Sequence, residues 1–353
     1  MDRLFCHFPE ALTARREAFR LGQKVGTYPG GFAAPTQRRA VILLSNPAAG
    51  GGAGAQVARQ AVHTFAGLGH KAVLVSPPGP DAIKPAVVEA LRSLGVTGPS
   101  QAILTAVGGD GTVRLAAEVA ADLGVPLGII PAGTGNGVAY SLGLPLDPWE
   151  ACRVIATGPV VACDLGRIEF APETGDRPTG FLNVAGAGLD AAITETYERT
   201  GLGLRGVPGY AVAALRSLAS HAPALLDLTL DGRPLTLSAL LVAVGNGPFY
   251  GKGIRIVPSA MPADGFLDVC VVLEVGLADL STLVPLVLLG RHTGHPKVRT
   301  FRVREAFISP RPGATKPPLV QADGDLVGRL PARFSVIPGG VRLVSQAGAD
   351  SGA

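Results

Sequence analysis

In the first half of the chain, short unbroken apolar runs alternate with longer stretches of helical spacing. Ala40 to Leu44 is such a run, closed by Asn46-Pro47 and a string of glycines, and it predicts a buried strand. Ala55 to Leu68 has helical spacing, Lys71 to Val75 predicts a second strand and Pro85 to Leu94 a second helix. Ala102 to Val107 predicts a third strand, Val113 to Leu123 a helix, and Pro126 to Ile130 a fourth strand. Strands and helices alternating at this interval predict a parallel sheet covered on both faces. Ligands of open α/β sheets sit beyond the carboxyl ends of the strands. The first, third and fourth strands all end there in glycine-rich loops, so the pattern predicts one composite site.

From about Asp164 the rhythm changes. Short alternating or apolar runs cover Leu165–Phe170, Gly180–Val184, Leu225–Leu230, Leu237–Val244, Leu267–Leu273, Lys297–Val303 and Arg333–Val336, separated by Gly, Pro and Asp turns. That is the pattern of an antiparallel β domain. Helical spacing interrupts it around Tyr210–Ser220 and Leu277–Leu289. The predicted fold class is thus an α/β first domain followed by a mostly antiparallel β-sandwich second domain. The expected divisions are an extension over 1–38, an α/β domain over 39–164 rejoined by about 337–346, and a β-rich domain over 165–336. Within the extension, Glu10–Leu21 has helical spacing and Gly26–Pro35 reads as a loop.

Composition narrows the classes. Hydrophobic residues make up 47% of 353 and charged residues 16%, a globular balance. The 48 glycines and 30 prolines follow no collagen period, so they read as turns and as places of close backbone approach. A net charge of +4 with no basic element does not suggest a nucleic-acid-binding protein. The cysteines, Cys6, Cys152, Cys163 and Cys270, form no C-x-x-C pair and read as reduced thiols of a cytosolic protein. The apolar stretch Leu277–Gly290 carries Asp279 and Pro285 and is too short to span a bilayer.

Three glycine loops carry the candidate chemistry. Glycine lets backbone N–H groups approach phosphate oxygens, and a following helix N-terminus adds partial positive charge. None of the three is a G-x-x-x-x-G-K-[ST] P-loop or a G-x-G-x-x-G dinucleotide loop. The third-strand loop, Gly108-Gly109-Asp110-Gly111-Thr112, embeds an acid.

The set of motifs resembles the diacylglycerol kinase catalytic family, which includes sphingosine and ceramide kinases, over about residues 40–345. Asn46-Pro47, Gly108–Thr112 and Pro131-Ala132-Gly133-Thr134-Gly135-Asn136-Gly137 match its nucleotide loops in order. Gly186–Ala191, Gly245-Asn246-Gly247, Gly251-Lys252-Gly253, the block Pro258–Asp268 and Asp323-Gly324-Asp325 match its lipid-side motifs. Two positions depart from the usual pattern: Gly137 replaces an Asp, and Asp325 replaces a Glu. The first-domain fold is shared with NAD kinases.

The resemblance implies an ATP-dependent lipid kinase acting on a diacylglycerol or a sphingoid or ceramide lipid, with Mg²⁺. The alternatives are an NAD kinase and a catalytically inactive nucleotide-binding regulator. It makes Asp110 or Asp325 the acceptor of the lipid hydroxyl proton. Bland readings stay open: a helix cap for Asp110 and a hairpin-turn acid for Asp325. Asn46, Gly108, Gly109, Asp110, Gly111, Thr112, Gly133, Thr134, Asn136 and Asp164 are the implied nucleotide-site residues, and Asp164 reads nearly as well as a strand-end turn acid. Asp190 is either a head-group ligand or a helix-cap acid. Asp264, with the carbonyls of Met261 and Phe266, is either a structural Mg²⁺ site or a plain turn. Arg205 and Lys252 are candidate phosphate or membrane contacts, or solvated surface. Tyr210–Leu215 is a lipid wall or a core helix, and Trp149 a packing residue. The expected setting is cytoplasmic, with reversible peripheral contact to the membrane that holds the lipid. No nucleic-acid partner is expected, and a homodimer stays open.

Overall fold

The computed structural model describes residues 39–46, 53–200, 207–251, 253–311 and 317–346. Glu10–Leu21, Gly26–Pro35, Cys6, the glycines following Asn46, Arg205 and Lys252 lie outside these residues.

The chain opens with β1 (Ala40–Ser45), α1 (Ala53–Gly67), β2 (Lys71–Val75), α2 (Ile83–Ser93), β3 (Ala102–Gly108), α3 (Asp110–Leu123) and β4 (Leu127–Pro131). These strands pair in parallel in the order β2-β1-β3-β4. Alternation along β1 decides what covers each face. Ile42 and Leu44 pack with Ile83 and Val87 of α2 and Val113, Ala116 and Ala117 of α3. Val41 and Leu43 pack with Ala58, Ala61 and Phe65 of α1 on the other side. Both faces are therefore dry, which is why β1 and β3 read as unbroken apolar runs.

Next come α4 (Gly137–Ser141), α5 (Pro148–Thr157), β5 (Val160–Phe170), β6 (Thr179–Phe181), β7 (Val184–Gly188), α6 (Leu189–Thr200) and α7 (Val207–Ser220). The remainder is β8 (Ala224–Leu230), β9 (Arg233–Gly245), β10 (Phe249–Tyr250), β11 (Ile254–Arg255), β12 (Leu267–Leu273) and α8 (Leu277–Leu288), then β13 (Val298–Val303), β14 (Glu305–Pro310), β15 (Leu319–Ala322), β16 (Asp325–Arg329) and β17 (Ala332–Val344). The pairings among β7, β8, β9, β12, β13 and β14 are antiparallel. Their inward residues, among them Leu226, Leu228, Val242, Val244, Val269 and Val271, form the core of the sandwich.

Two long strands weld the halves. β17 pairs antiparallel along β5 for most of its length; one end meets β14, and Leu343 at the other meets Leu127 of β4. Between Ile337 and Val341 the register shifts, and Gly339 there takes φ +62°.

Several elements escape sequence reading. The run expected over Gly180–Val184 is two strands, β6 and β7, broken where Asp323 captures the amides between them. Trp149 is no packing residue: it is 41% exposed in the first turn of α5. That turn is capped by the Asp147 carboxylate, which accepts from the Trp149 and Glu150 amides, with Pro148 at the first helical position. In the Tyr210–Leu215 stretch, Ala213 is fully buried, as in a core helix.

Candidate active site

The loops after β3 and β4 pack glycine against glycine. A Cβ on Gly133 would run into the Cα of Gly109, and one on Gly108 would stand 2.6 Å from the Thr112 hydroxyl. Gly133 is glycine because the two backbones need the space, and Gly108 because the Thr112 side chain fills it. Asn136 sits at φ +51° and accepts the Gly133 amide through its side-chain oxygen at 2.9 Å, closing the second loop on itself. Thr134, at its tip, is exposed. Asn46, at the end of β1, is exposed as well.

Asp110 stands in the first turn of α3, yet its carboxylate caps a different helix. It accepts the amides of Gly137 and Val138, each at 2.9 Å, at the start of α4. One carboxylate thus ties the β3 loop to the β4 loop through charge-assisted bonds.

Asp325 arrives from the far end of the chain and lies over Gly111, where an added Cβ would meet its carboxylate. The buried guanidinium of Arg114, one turn along α3, donates to it at 3.1 Å. Arg114 also reaches Thr179 at 2.6 Å and Glu118 at 3.3 Å. Glu118 in turn accepts from the Thr179 hydroxyl and the Gly180 amide. The Asp325 side chain is 45% exposed, so a carboxylate held from behind keeps an open side. Glu198 of α6 stands near: partial burial raises its carboxyl, and the charges of Asp325 and Glu195 add to this.

Asp323, two residues earlier, has the opposite character. It takes φ +49° and accepts the amides of Leu182, Asn183 and Val184. Burial pushes its carboxyl up to about 7, and the charge of Asp110 adds to the push. The Leu182 and Asn183 amides and the charge of Arg114 act the other way. The D-G-D motif therefore divides its labour: the first acid fastens β15 to β7, and the second stands half-exposed over Gly111.

Comparison with known proteins follows the same division of the chain. Residues 40–168 match the diacylglycerol kinase catalytic domain, and residues 183–345 match the YegS C-terminal NAD kinase beta sandwich-like domain. A diacylglycerol kinase of Mycobacterium tuberculosis is 33% identical over 310 residues, covering 86% of this chain and 94% of that protein. The chain belongs to the diacylglycerol kinase family. A member from Staphylococcus saprophyticus is 28% identical, over 70% of this chain and 77% of its own. Two solved structures share the fold. A Bacillus anthracis protein assigned as a diacylglycerol kinase has TM-score 0.70 at 22% identity, covering 90% of this chain and 99% of that one. Yeast NADH kinase has TM-score 0.50 at 12% identity, covering 89% and 85%.

Membership in the family does not carry every expected residue into the site. Asp164 is fully buried, and its two oxygens accept the amides of Gly265 at 2.6 Å and Gly339 at 2.8 Å. It clamps β5 to the 261–266 turn and to the irregular stretch of β17. With no exposed surface it cannot meet a nucleotide. Asp190 is 7% exposed. It accepts from the Ala191 amide at 2.8 Å, the Tyr250 hydroxyl at 2.6 Å and the Gln321 amide group at 3.0 Å. Burial raises its carboxyl, against the pull of these donors. It points into the protein, where these three donors hold it.

The Asp264 turn does not form an open cation cage. One oxygen of Asp264 accepts the Phe266 amide at 3.0 Å, and the other pairs with Arg302 at 2.8 Å. The Met261 carbonyl accepts the Ala263 amide. Asp264 thus gives one oxygen to an amide and the other to an arginine.

Gly137, a departure from the usual family pattern, has a local reason. A Cβ there would lie 3.0 Å from the amide nitrogen and 3.1 Å from the Cα of Gly251, in the turn between β10 and β11. The second half of the chain leans on the nucleotide loop at the position where a side chain would stand.

Arg114, Glu118, Thr179, Tyr250 and Gln321 were not singled out by the sequence. Arg114 carried the only available signal, a charge facing inward on a helix whose neighbours are apolar.

Proposed function

We propose that this protein is an ATP-dependent lipid kinase that transfers the γ-phosphate to the free hydroxyl of a diacylglycerol. The supporting observation is the half-exposed Asp325 carboxylate, held by Arg114 above a glycine loop that opens a helix.

Phosphoryl transfer asks for positioning and charge neutralisation more than for covalent help. The amides of Gly109 and Gly111 suit the phosphates, and the α3 N-terminus adds positive potential. ATP enters with its Mg²⁺ as the substrate complex. The lipid hydroxyl oxygen attacks the γ-phosphorus, the bond to the β,γ-bridging oxygen breaks, and ADP leaves. Asp325 accepts the hydroxyl proton as the new bond forms. Arg114 aims this carboxylate from behind, a role suited to a side chain one methylene shorter than the family's usual Glu. Asp110 holds the two loops in register, its oxygens taking the Gly137 and Val138 amides, and Asp325 is the base in this reading.

Peripheral, reversible membrane contact belongs to this reading, since the acceptor lives in a bilayer. Among the described residues no helix is long and apolar enough to cross one. The test is purified protein with labelled ATP against diacylglycerol, sphingosine, ceramide and NAD. Labelled phosphatidic acid is the expected product. Phosphate on NAD alone, or on no acceptor, overturns the proposal. Preferential labelling of the sphingoid lipids would move the substrate to the alternative that Gly137 suggests.

A further inference from the structure

The edge of the second half that carries α8 has no part in the chemistry described above. α8 turns Leu283 and Val287 inward, where they join Val272, Val298 and Cys270 of β12 and β13. Val284 and Leu288, one turn apart, face out with Leu289, at 45%, 57% and 61% exposure. Ile254 of β11, against which α8 packs, is 40% exposed. Four of the nine large apolar side chains exposed among the described residues thus share one edge.

Cations flank this edge on one side. Arg255 lies against Gly290, where an added Cβ would be 3.1 Å from its own Cβ. Arg291 is exposed at the end of α8, and Lys297 follows before β13. Among the described residues none of the three has a carboxylate within ion-pair distance. The one acid of α8, Asp279, sits in its first turn, at the opposite end.

We propose that the outward edge formed by Val284, Leu288, Leu289 and Ile254, with Arg255, Arg291 and Lys297, seats the protein on an anionic bilayer. Apolar side chains that enter the acyl boundary beside cations with no carboxylate partner match the chemistry of that surface, whereas a protein partner would leave those charges to be desolvated. The edge also connects to the site. From Ile254 the β10–β11 hairpin leads back to Gly251, which touches Gly137, and to Tyr250, which donates to Asp190. The docked edge and the Asp110 clamp thus meet through one hairpin. The inference rests on the lipid-kinase reading for its purpose, but its test does not need activity.

The full chain is sedimented with vesicles of phosphatidylcholine alone and with vesicles containing phosphatidylglycerol. Wild type is expected to bind the anionic vesicles at least tenfold better. The double variant L288E/L289E should lose that binding by at least tenfold while keeping the wild-type melting temperature. R291Q and K297Q should each weaken it about fivefold at low salt. Turnover of a short-chain, dispersed diacylglycerol should stay within twofold of wild type in L288E/L289E. Unchanged binding of L288E/L289E to anionic vesicles overturns the proposal. So does equal binding of wild type to both vesicles, or a shift of L288E/L289E from dimer to monomer without vesicle binding by wild type. If vesicles are bound and no lipid is phosphorylated, the kinase reading fails and the docking edge stands.

Discussion

The Arg114 guanidinium lies 3.1 Å from the Asp325 carboxylate, joining two residues 211 positions apart, one on the helix that follows the β3 glycine loop and one in the second half of the chain. Arg114 is buried and half of Asp325's side chain is open, so the pair is asymmetric: the arginine is fixed and the acid is presented. If Asp325 accepts the hydroxyl proton, Asp325→Ala should lower kcat by about 10²–10⁴-fold with little change in the KM for ATP. Asp325→Glu should keep substantial activity. Steady-state kinetics of both variants check this, and near-normal turnover in Asp325→Ala would remove it as the base.

Arg114 is expected to act through Asp325. Arg114→Met keeps the apolar stem, removes the charge, and leaves Glu118 and Thr179 to pair with each other as they already do. We expect kcat to fall by about tenfold or more, with little change in the KM for ATP. A purely structural arginine would lower the melting temperature and leave kcat per folded enzyme unchanged.

Asp110→Asn tests the loop clamp. An amide offers one acceptor oxygen, so one of the Gly137 and Val138 N–H groups faces an NH₂ donor. Leaving a buried donor unmet costs about 1–3 kcal/mol. The expected result is a lower melting temperature and a raised KM for ATP, measured on the same preparation. A wild-type KM would show that the loops hold their register without Asp110.

Gly137→Ala sets two effects against each other. Replacing a helical glycine gains about 0.5–1 kcal/mol. Pressing a Cβ onto the Gly251 backbone costs about 1–3 kcal/mol, because backbone yields less than a side-chain tip. The net expectation is destabilisation, and Gly137→Asp, the family's usual residue, should lower activity further because its carboxylate would enter beside Asp110. Gain of activity in Gly137→Asp would mean that the hairpin moves away freely.

Much of this architecture was legible in the chain. Strands such as Ala40–Leu44 announce themselves because both faces of the sheet are dry, and the loops because Gly109 and Gly133 must touch. Asp164 misled for a physical reason: an acid at a strand end reads the same whether its oxygens meet a ligand or two amides 101 and 175 residues away. Arg114 with Thr179, and Asp190 with Tyr250 and Gln321, are illegible because tertiary packing alone unites them. The cap that starts α5 was present in the sequence as Asp147-Pro148 and could have been found.

His292 gives the fold a defined response to acid. Its ring is fully buried behind the exposed end of α8; Nε2 bonds the Ile256 carbonyl at 3.0 Å, and Nδ1 has no partner among the described residues. Burial pushes its pKa below the ordinary value, against the pull of the Ile256 carbonyl. The folded protein therefore holds the ring neutral where the unfolded chain protonates it, near pH 6.5. Below that pH the unfolded state binds one more proton, so stability falls as pH drops through about 6.5 and goes on falling until the folded pKa is reached. One proton corresponds to about 1.4 kcal/mol per pH unit. His221 is shifted in the same direction by burial, and it remains in the variant, so a difference measurement isolates His292. Urea unfolding at pH 7.5 and pH 5 should show a larger loss of stability in wild type than in His292→Gln, which can keep the bond to Ile256 and cannot titrate. Equal losses in the two proteins would mean that water reaches the ring and that the end of α8 is looser than its packing on Ile256 implies.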